Sequence, residues 1–436
     1  MGTGEPPTVA ATVGSLAAAM FGGRLPLRVE FWDASVLGPT VPPAPGTLRV
    51  HGPDALRRLL WRPDELGLAR AYIAGDLDVD GDIFDVLTEL RPIAEHGLRL
   101  GRSSLPAGLR AAARLGLLRP PLPAPPEEAR LRRRRHSMRR DASAISHHYD
   151  VGNDYYRLVL GSAMTYSCAR FEDESIDLAG AQASKHELSC RKLGLEDRPG
   201  GRLLDVGCGW GSMAIHAALH HDVSVVGITI SRAQADLARK RVVDAGVADR
   251  VDIRLQDYRE LRDERFDAIS SIGMSEHVGA ARLADYYGVL HDALAPQGRL
   301  LNHAISSVAG SRIESRSFFG RYVFPDGELI DVGESVLAME RAGFQVRDVE
   351  SLREHYTRTL RAWVANLDAG WDEAVELVGA RRARVWRLYM ALSAVNFASG
   401  RIDVHQVLGV VPDADGTSGM PATRRGWDAP VTVPGS

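Results

Sequence analysis

Two acid–base side chains stand side by side at the end of an apolar run, in the segment RFDAISSIGMSEHVG. Glu276 and His277 follow the run directly, where a buried strand is expected to end. Open α/β sheets bind ligands outside the carboxyl ends of their parallel strands, so a carboxylate at this position is a candidate catalytic group. A surface acid beside a helix cap would give the same residues, and this segment alone leaves that alternative open.

A second set of residues suits a nucleotide-like cofactor. The segment LLDVGCGWG places Asp205 at a strand end and Gly207, Gly209 and Gly211 in the next turn, where glycines let a ligand approach the backbone closely. A dinucleotide-binding loop has similar glycines. The tighter D-V-G-x-G-x-G spacing, however, looks like the S-adenosylmethionine loop of class I methyltransferases.

Two further segments follow that resemblance, and one departs from it. Asp257 and Tyr258, in LQDYREL, end the third strand, where such enzymes hold adenine by a carboxylate and a ring. The second strand ends in GITISRAQ without an acid, so neutral groups such as Thr229 and Gln234 would have to contact the ribose. The fourth strand lacks the [DN]-P-P-[FY] motif with which base-methylating enzymes grip a flipped base, which disfavours nucleic acid as substrate.

The elements that must position these residues alternate along the chain from about residue 145. Strand-like runs such as GRLLDVGCG, VSVVGITI, RVDIRLQD, FDAISSIG and GRLLNHAIS are separated by helix-like runs such as SRAQADLARKRVVDAG. This alternation predicts a doubly wound, mainly parallel sheet. We expect a helical insertion at about 307–340, then FQVRDVESL as a strand, a helical stretch at 358–400 and RIDVHQVLGVV as the last strand.

The chain divides into four predicted segments. Residues 1–120 contain a strand followed by helices and are predicted to be an N-terminal domain that contacts lipid or a partner. Residues 121–145 are predicted to be a linker, rich in proline and then in arginine, which either attracts anionic lipid or forms a solvated face. Residues 146–411 are predicted to form the catalytic domain, and residues 412–436 are predicted to be a disordered tail.

Composition narrows the classes of function. The 436 residues are 45% hydrophobic and 25% charged with a formal net charge of -3, which is typical of a globular protein and gives no reason to expect a nucleic-acid partner. Cys168, Cys190 and Cys208 are isolated, so we expect a reduced compartment and no metal site. The absence of a signal peptide and of a long apolar run predicts a cytoplasmic protein without a transmembrane segment.

Several segments together resemble the cyclopropane-fatty-acyl-phospholipid synthases. They cover nearly all of residues 146–411 in family-like order, and they are HHYDVGNDYYRLVLGSAMTYSCARFED, LLDVGCGWGSMAIHAA, VVGITISRAQ, SIGMSEHVG, YVFPDGEL and HYTRTLRAW. The resemblance implies an α/β class I methyltransferase fold with a Rossmann-like, mainly parallel seven-stranded sheet. A helical insertion on the lipid side and a smaller α+β N-terminal domain complete the expected architecture. The implied cofactors are S-adenosyl-L-methionine and bicarbonate.

The resemblance also assigns site residues position by position. Taken singly, the cysteine and the histidine are more often ordinary packed residues and the tyrosine could simply pack a loop, but together at the family spacing these residues imply a site. The residues implied to hold bicarbonate beside the cofactor's methyl group are Cys168, Glu276, His303, the backbone N–H of Ile305, and Tyr356. The residues implied to contact S-adenosylmethionine are Tyr166, Ser167, Leu203, Leu204, Asp205, Val206, Gly207, Cys208, Gly209, Trp210, Gly211, Thr229, Ile230, Gln234, Asp257 and Tyr258.

The implied reaction is methyl or methylene transfer to the cis double bond of an oleoyl-like phospholipid acyl chain. An alkene is a weak, neutral nucleophile, so the enzyme must hold it against the sulfonium methyl group in a dry pocket. The carbocation left on the chain is a strong acid, which a caged bicarbonate could deprotonate while its negative charge stabilises the cation.

The product and the partners are less constrained. Proton loss with ring closure gives a cyclopropane, and a hydride shift followed by proton loss gives a 10-methylene chain. Lysine occurs only at positions 185, 192 and 240, and such an arginine bias fits the actinobacterial relatives that take the methylene route, which we favour. The expected partner is phospholipid at the inner membrane face, with a homo-oligomer and a downstream reductase left open. The alternatives are a small-molecule or amine methyltransferase and a non-catalytic lipid-binding relative.

Overall fold

The computed structural model describes residues 7–20, 25–39, 46–96, 105–129, 151–310, 317–324 and 327–427. These residues form two compact units. The first comprises the described residues within Met1–Leu131, Glu314–Pro325 and Val378–Val395, and the second comprises those within Arg132–Ile313, Asp326–Leu377 and Asn396–Ser436. The first unit thus takes residues from three parts of the chain, whereas the sequence predicted one continuous domain.

Helices and strands alternate through most of the described chain. None of the described helices is both long enough and apolar enough to cross a bilayer. In chain order the elements are α1 Val9–Met20, β1 Arg28–Phe31, β2 Val36–Leu37, β3 Gly46–Val50, α2 Pro53–Trp61, α3 Glu65–Ala74, β4 Leu77–Gly81, α4 Ile83–His96, α5 Leu105–Arg114, α6 Asn153–Leu160, α7 Leu178–Leu193, β5 Gly201–Val206, α8 Ser212–His220, β6 Val223–Thr229, α9 Arg232–Asp244, β7 Val251–Leu255, β8 Phe266–Ile272, α10 Ser275–Val278, α11 Leu283–Asp292, β9 Leu294–Ser307, β10 Ile330–Asp331, α12 Val332–Arg341, β11 Gln345–Ser351, α13 Arg353–Ala369, α14 Trp371–Val378, α15 Ala380–Ala398 and β12 Ile402–Val410.

The first unit is built on a four-stranded sheet of order β2–β1–β3–β4. β1 runs parallel to β3, and β2 and β4 are antiparallel to their neighbours, so this unit has the predicted α+β character. Arg384 of α15 binds Asp78 of β4 through two hydrogen bonds of 2.6 and 3.0 Å. Residues 121–129 belong to the segment that the sequence predicted as a linker. An ion pair of 2.9 Å between Arg70 and Glu128 holds them in this unit. Local composition could not reveal that pairing because its partners are far apart in the chain.

The second unit is built on a larger sheet of order β11–β12–β9–β8–β5–β6–β7. β9, β8, β5, β6 and β7 are parallel, β12 is antiparallel to both of its neighbours, and the short β10 adds to β9 in parallel. The α/β, mainly parallel sheet predicted from the alternating sequence is therefore confirmed. Because parallel strands all end at one edge, the loops after β5, β6, β7 and β8 come together there.

Apolar residues cover both faces of this sheet. On β5, Leu203 packs in a core cluster with Leu188 of α7 and Met213 of α8, and Leu204 packs in another with Tyr286 of α11. Side chains of successive strand residues point to opposite faces, which is why neighbouring leucines serve different clusters. Helices on both faces explain why the strands read as continuous apolar runs in the sequence.

The region predicted as a helical insertion is mixed rather than helical throughout. β9 continues to Ser307, a π-helical turn spans Phe319–Val323, and β10 precedes the helix α12. A strand of two residues, Ile330–Asp331, is too short to produce a periodic pattern, so the sequence could not reveal it. Residues 311–316 and 325–326 lie outside the described residues, as do residues 130–150 with the arginine run.

The predicted disorder of the tail is wrong for residues 412–427. Trp427 is only 7% exposed and belongs to a core cluster of the second unit, with the Lys192 ammonium 5.9 Å from its ring centroid. Arg299 donates to the carbonyl of Gly419 at 3.3 Å, and Arg424 forms an ion pair with Asp348. A buried tryptophan contributes a large apolar area, and the average composition of a polar segment does not reveal that single residue. Residues 428–436 lie outside the described residues.

Candidate active site

A cavity in the second unit opens at the carboxyl edge of the large sheet. The residues that follow β5, β6, β7 and β8 line it, and the segment from Met164 to Ser167 and part of α7 form another wall. This is the crevice where α/β sheets bind ligands, as the sequence predicted.

The glycine loop after β5 bends in a way that requires its glycines. Gly207, Gly209 and Gly211 have φ angles of +73°, +55° and +80°, which residues with a Cβ rarely adopt. A Cβ on Gly207 would lie 2.3 Å from the sulfur of Met274, so any other residue there would require Met274 to move. The backbone N–H groups of Gly207 and Cys208 both donate to the Ile228 carbonyl of β6, which fixes the loop beside the neighbouring strand.

Two neutral polar side chains follow β6. The hydroxyl of Thr229 donates to Oε1 of Gln234 at 2.9 Å, and both residues are buried and line the cavity. The Thr229 oxygen in turn accepts from the backbone N–H of Ser231 at 3.2 Å. The amide nitrogen of Gln234 is therefore the donor that this end of the cavity offers to a ligand hydroxyl.

Asp257 after β7 is engaged by its neighbour Arg259. The guanidinium donates to both carboxylate oxygens, at 2.8 and 2.7 Å, and the Arg259 backbone N–H donates to Oδ1 at 2.9 Å. Burial alone would raise the pKa of Asp257, but these hydrogen bonds lower it, so the carboxylate is ionised. Asp257 and the adjacent Tyr258 line the cavity as predicted, although the sequence did not predict the arginine contact.

Most of the predicted cofactor residues line this cavity. Leu203 and Leu204 do not, because they lie inside β5 and pack in the two core clusters. Gly211 does not line it either; it is the residue before α8. The prediction treated the whole motif as one contact segment, and it therefore included residues inside the strand whose side chains pack in the core rather than at the cavity. The residues that do line the cavity are Tyr166, Ser167, Asp205, Val206, Gly207, Cys208, Gly209, Trp210, Thr229, Ile230, Gln234, Asp257 and Tyr258.

Sequence reasoning missed several polar residues of the cavity wall. Lys185 and His186 reach it from α7, and Thr165 reaches it from the preceding segment. The Thr165 hydroxyl lies 3.2 Å from Nε2 of His186. The one sequence signal for Lys185 was its residue type, since lysine is rare in this arginine-rich chain. Among the described residues, no group of three or more His, Cys, Asp or Glu side chains could hold a metal ion.

Glu276 is the second residue of the short helix α10, which follows β8. Its Oε1 accepts a hydrogen bond of 2.7 Å from the backbone N–H of Ile305 on β9. Its Oε2 is buried and has no hydrogen-bond partner in the described part of the chain. Burial raises the pKa of Glu276 to about 7, although the Ile305 hydrogen bond opposes the shift. The neighbouring His277 lines the cofactor-side cavity, and burial lowers its pKa.

His303 lies on β9 two residues before Ile305, so both side chains point to one face of the sheet. The carbonyl of His303 accepts from the backbone N–H of Gly273, the residue directly after β8, at 2.8 Å. Nδ1 of its ring lies 3.3 Å from Nε2 of Gln406, while its own Nε2 is buried with no partner among the described residues. Burial holds the pKa of His303 well below its usual value, so the ring is neutral.

Cys168 and Tyr356 meet at the Leu352 carbonyl. That oxygen lies 3.5 Å from Sγ of Cys168 and accepts from the backbone N–H of Tyr356 at 3.1 Å. The Leu352 N–H donates to the carbonyl of Val404 on β12, and Val404 is paired with Ile305 on the adjacent strand β9. Neighbouring strands lie about 4.8 Å apart, so Leu352 and Ile305 are separated by roughly 10 Å. Burial raises the pKa of Cys168, so its sulfur is a thiol rather than a thiolate.

Comparison with known families matches this arrangement. The sequence pattern of the family described as mycolic acid cyclopropane synthetase matches residues 136–407, which include the residues described above. A solved structure of mycolic acid cyclopropane synthase CmaA1, complexed with SAH and CTAB, is similar with a TM-score of 0.58 and 33% identity. It covers 62% of this chain and 98% of that chain.

Curated relatives extend the similarity to nearly the whole chain. A probable fatty acid methyltransferase, Rv3720, of Mycobacterium tuberculosis is 40% identical over 94% of this chain and 96% of its own length. The cyclopropane-fatty-acyl-phospholipid synthase of Escherichia coli is 34% identical over 84% of this chain and 88% of its own. The tuberculostearic acid methyltransferase UfaA1 of Mycobacterium tuberculosis is 32% identical over 88% of this chain and 87% of its own.

Proposed function

Since the chain belongs to the mycolic acid cyclopropane synthetase family of S-adenosylmethionine-dependent methyltransferases, we propose that it modifies the cis double bond of an unsaturated phospholipid acyl chain. The observation that carries this proposal is the surroundings of Glu276. One carboxylate oxygen accepts from the Ile305 N–H, and the other is buried without a partner among the described residues. Such a group, next to the cofactor cavity, suits a reaction that needs a shielded polar site rather than a strong base.

The order of the strands supports one orientation of the cofactor. β7, β6, β5 and β8 are consecutive in the sheet. β6 ends at Thr229, and β7, β5 and β8 are followed by Asp257, the glycine loop and Glu276 respectively. With its adenine beside Asp257 and its ribose beside Thr229, S-adenosylmethionine would reach past the glycine loop toward Glu276. When bound, it supplies an electrophilic methyl group on a sulfonium. The acceptor alkene is then expected on the β8 side of the loop.

The polar atoms around Glu276 fit a small oxyanion such as bicarbonate. Nε2 of His303 and Oε2 of Glu276 are both buried and lack partners in the described part of the chain. If the Gln406 amide nitrogen donates to Nδ1 of His303, the ring carries its proton on Nε2 and can donate to an anion. Glu276 could accept from the bicarbonate hydroxyl. Bicarbonate, when bound, would supply the base, and Cys168 and Tyr356 are the further residues that the resemblance assigns to its surroundings. The Ile305 N–H already donates to Oε1 of Glu276, so bicarbonate would have to share or displace that hydrogen bond.

The residues of the chain itself would exclude water and orient the substrate. Cys168 is fully buried and His303 is 2% exposed, so both side chains are shielded from solvent. Exclusion of water prevents capture of a cationic chain as an alcohol and strengthens the electrostatic interactions inside the site. His303, neutral and buried, would act as a fixed donor and not as a proton acceptor.

We favour a 10-methylene product, and the cyclopropane is the alternative. The names of relatives include both a tuberculostearic acid methyltransferase and a cyclopropane-fatty-acyl-phospholipid synthase, at similar identity. The choice therefore rests on the arginine bias of the sequence. A methylene product would need a reductase to become a methyl branch. We further propose that the protein works at the inner membrane surface, where its phospholipid substrate lies.

The test is mass spectrometry of fatty acids after incubation of purified protein with S-adenosylmethionine, bicarbonate and dioleoyl phospholipid vesicles. A chain heavier by one CH₂ supports the proposal, and mild hydrogenation then distinguishes a ring that persists from a methylene that becomes a methyl branch. An unchanged acyl chain, with cofactor binding intact, would overturn the proposed substrate. Methylation of a soluble amine in parallel would identify the alternative class of enzyme.

A further inference from the structure

A proton has to leave the surroundings of Glu276 after every turnover of the proposed reaction. The reaction releases one proton from the acyl chain, and the site is ready for the next chain only when that proton has gone. His303 does not take it up, because burial holds its pKa well below the usual value. The neighbouring acceptor is Glu276, whose Oε2 is buried without a partner in the described part of the chain. A group beyond Glu276 is therefore needed to pass the proton to solvent.

A second, small cavity adjoins Glu276. Its wall includes Glu276 and, from β9, Asn302, Ala304 and Ser306. Side chains alternate along a strand, so those of the three β9 residues point to the face of the sheet opposite to the His303 ring. About 20 Å³ of the cavity is open to the centres of water molecules, which is room for at least one water. Glu276 thus borders a space that water can enter on the face opposite to His303.

Ser306 and His405 form a polar part of the wall of this cavity, on β9 and β12. Oγ of Ser306 lies 2.7 Å from Nδ1 of His405. Nε2 of His405 lies 3.6 Å from Oδ2 of Asp403, and 16% of the His405 side chain is exposed. The carboxylate of Asp403 favours a proton on Nε2, which leaves Nδ1 as the acceptor for the Ser306 hydroxyl. The imidazole therefore links the cavity with solvent.

We infer that Ser306 and His405 carry the proton from Glu276 to solvent through this cavity. Protonated Glu276 gives its proton to a water in the cavity, and that water gives one of its own to Oγ of Ser306. Ser306 at the same time passes its hydroxyl proton to Nδ1 of His405, and the imidazolium loses a proton to solvent. One proton leaves Glu276 and one enters solvent, without any other reactant.

This inference rests on the proposed function, because it concerns the proton that the proposed reaction releases. Ser306 and His405 act through Glu276 and are not assigned a contact with the acyl chain. During the reaction the neighbouring cofactor cavity would be filled by S-adenosylmethionine, so it would offer no competing path for water.

Titration behaviour agrees with this direction of transfer. Burial raises the pKa of Glu276 to about 7, so near neutral pH its carboxylate can take up a proton and release it again. Burial lowers the pKa of His405, although the charge of Asp403 opposes the shift. The resting imidazole of His405 is therefore neutral and able to accept a proton.

The experiment separates the first turnover from later ones by rapid-quench mass spectrometry with S-adenosylmethionine, bicarbonate and dioleoyl phospholipid vesicles. The variant His405→Gln keeps a hydrogen-bonding group beside Ser306 that cannot carry a proton. In weakly buffered solution we expect it to slow steady-state turnover by roughly 10- to 100-fold, up to the lower limit of the usual effect of a proton-transfer group, and to leave the first turnover within about twofold. Imidazole, a diffusible proton carrier, should restore the steady-state rate. His220→Gln, at an exposed histidine of α8, is the matched control and should change neither rate.

Two results of this experiment would overturn the inference. Equal slowing of the first and later turnovers in His405→Gln, without rescue by imidazole, would make the histidine a structural residue only. Unchanged steady-state turnover in the same variant would remove His405 from the proton path.

A second measurement needs no lipid substrate. At pH 5 the Glu276 carboxyl group is protonated, and stopped-flow infrared spectroscopy after dilution into D₂O follows the exchange of its proton. The carboxyl band is identified by its loss in Glu276→Gln. Because the path to solvent runs through the Ser306 hydroxyl, we expect slower exchange in Ser306→Ala than in wild type.

The infrared result distinguishes failure of this inference from failure of the proposed function. Slower exchange in Ser306→Ala, with no lipid product from the wild-type protein, would refute the proposed substrate and support the proton path from Glu276. Equal exchange rates in wild type and Ser306→Ala would overturn the path, whatever the product.

Discussion

The location of Glu276 could be predicted from its residue type and its position in the sequence, but its hydrogen-bond partner could not. The sequence indicated a carboxylate at the edge of a parallel sheet, and the structure places it there. The direct hydrogen bond from the Ile305 N–H could not be predicted, because it joins residues that are brought together only when β8 and β9 pair. The raised pKa of the Glu276 carboxyl group follows from its burial in the folded chain and not from the segment SEH itself.

Replacement of Glu276 by glutamine tests its proposed part in the reaction. Glutamine keeps the size and the acceptor for the Ile305 N–H but removes the charge. We expect turnover to fall by about 100-fold or more, as for other groups that assist proton transfer, while affinity for S-adenosylmethionine changes by less than about threefold. Radiolabelled methyl transfer and calorimetry measure the two quantities. Glu334→Gln, at an exposed glutamate, is the control, and near-normal turnover in Glu276→Gln would refute the assignment.

The same residue should give the protein a characteristic pH dependence of stability. The pKa of Glu276 is raised from 4.5 to about 7, so between these values the folded protein binds a proton that the unfolded chain has released. Its contribution to the free energy of unfolding is complete below about pH 4.5 and is lost as pH rises through about 7, by at most about 3 kcal/mol. Urea unfolding at pH 5 and pH 8 should therefore show a smaller loss in Glu276→Gln than in wild type. Identical losses would contradict the raised pKa.

At the scale of elements, the glycine loop could be predicted from sequence because its requirement is local. A chain that turns with φ near +70° at the end of a strand needs glycine, and the spacing of the glycines shows this directly. The fit of the loop against Met274 is different, since it depends on the packing of β8 beside β5. The register of that packing has no local signature.

The variants Gly207→Ala and Gly200→Ala separate the effect of a positive φ angle from the effect of packing against Met274. Both glycines have φ near +73°, so alanine costs about 1 kcal/mol of stability at either position. A Cβ at Gly207 would also meet Met274 at 2.3 Å, whereas a Cβ at Gly200 has no atom within 4 Å. We expect Gly207→Ala to lose most cofactor affinity and Gly200→Ala to retain it. Calorimetry with S-adenosylhomocysteine measures this, and equal affinities would show that the loop adapts.

Among the larger elements, the strands and helices of the second unit were predicted well and β10 was not. Long buried strands and amphipathic helices leave periodic patterns, and the predicted runs from GRLLDVGCG to RIDVHQVLGVV all contain elements of the expected type. The short β10 pairs with β9 through tertiary context alone. Element type thus follows from local pattern, whereas the presence of a two-residue strand does not.

At the scale of the whole molecule, the tail should stabilise the second unit. Trp427→Ala would remove a large buried ring from its core cluster and from the Lys192 ammonium, and we expect a loss of roughly 3 kcal/mol in the free energy of unfolding. Arg425→Ala, at an exposed residue of the same segment, should change stability by less than about 0.5 kcal/mol. Denaturant unfolding checks both, and equal small effects would mean that the tail does not pack in solution.

The division of the chain into units likewise depends on distant pairs. Arg384 binds Asp78, and the described residues of Val378–Val395 join the first unit, although more than two hundred residues of the second unit intervene in sequence. Composition and periodicity are averages over neighbouring residues, so they favour continuous domains. The interleaved arrangement could be found only from the folded chain.

The sequence by itself determined the α/β class, the cofactor type and most of the residues at the cavity, because glycine turns, strand ends and alternating elements are imposed by local backbone geometry. Only the tertiary structure decided that Leu203 and Leu204 serve the core, that Arg259 engages Asp257, that Trp427 is buried, and that Lys185 lines the cavity and donates to Ser167. These facts concern burial and charge pairing between distant positions. Their energies arise from the removal of water and the approach of charges, which occur only when the chain has folded.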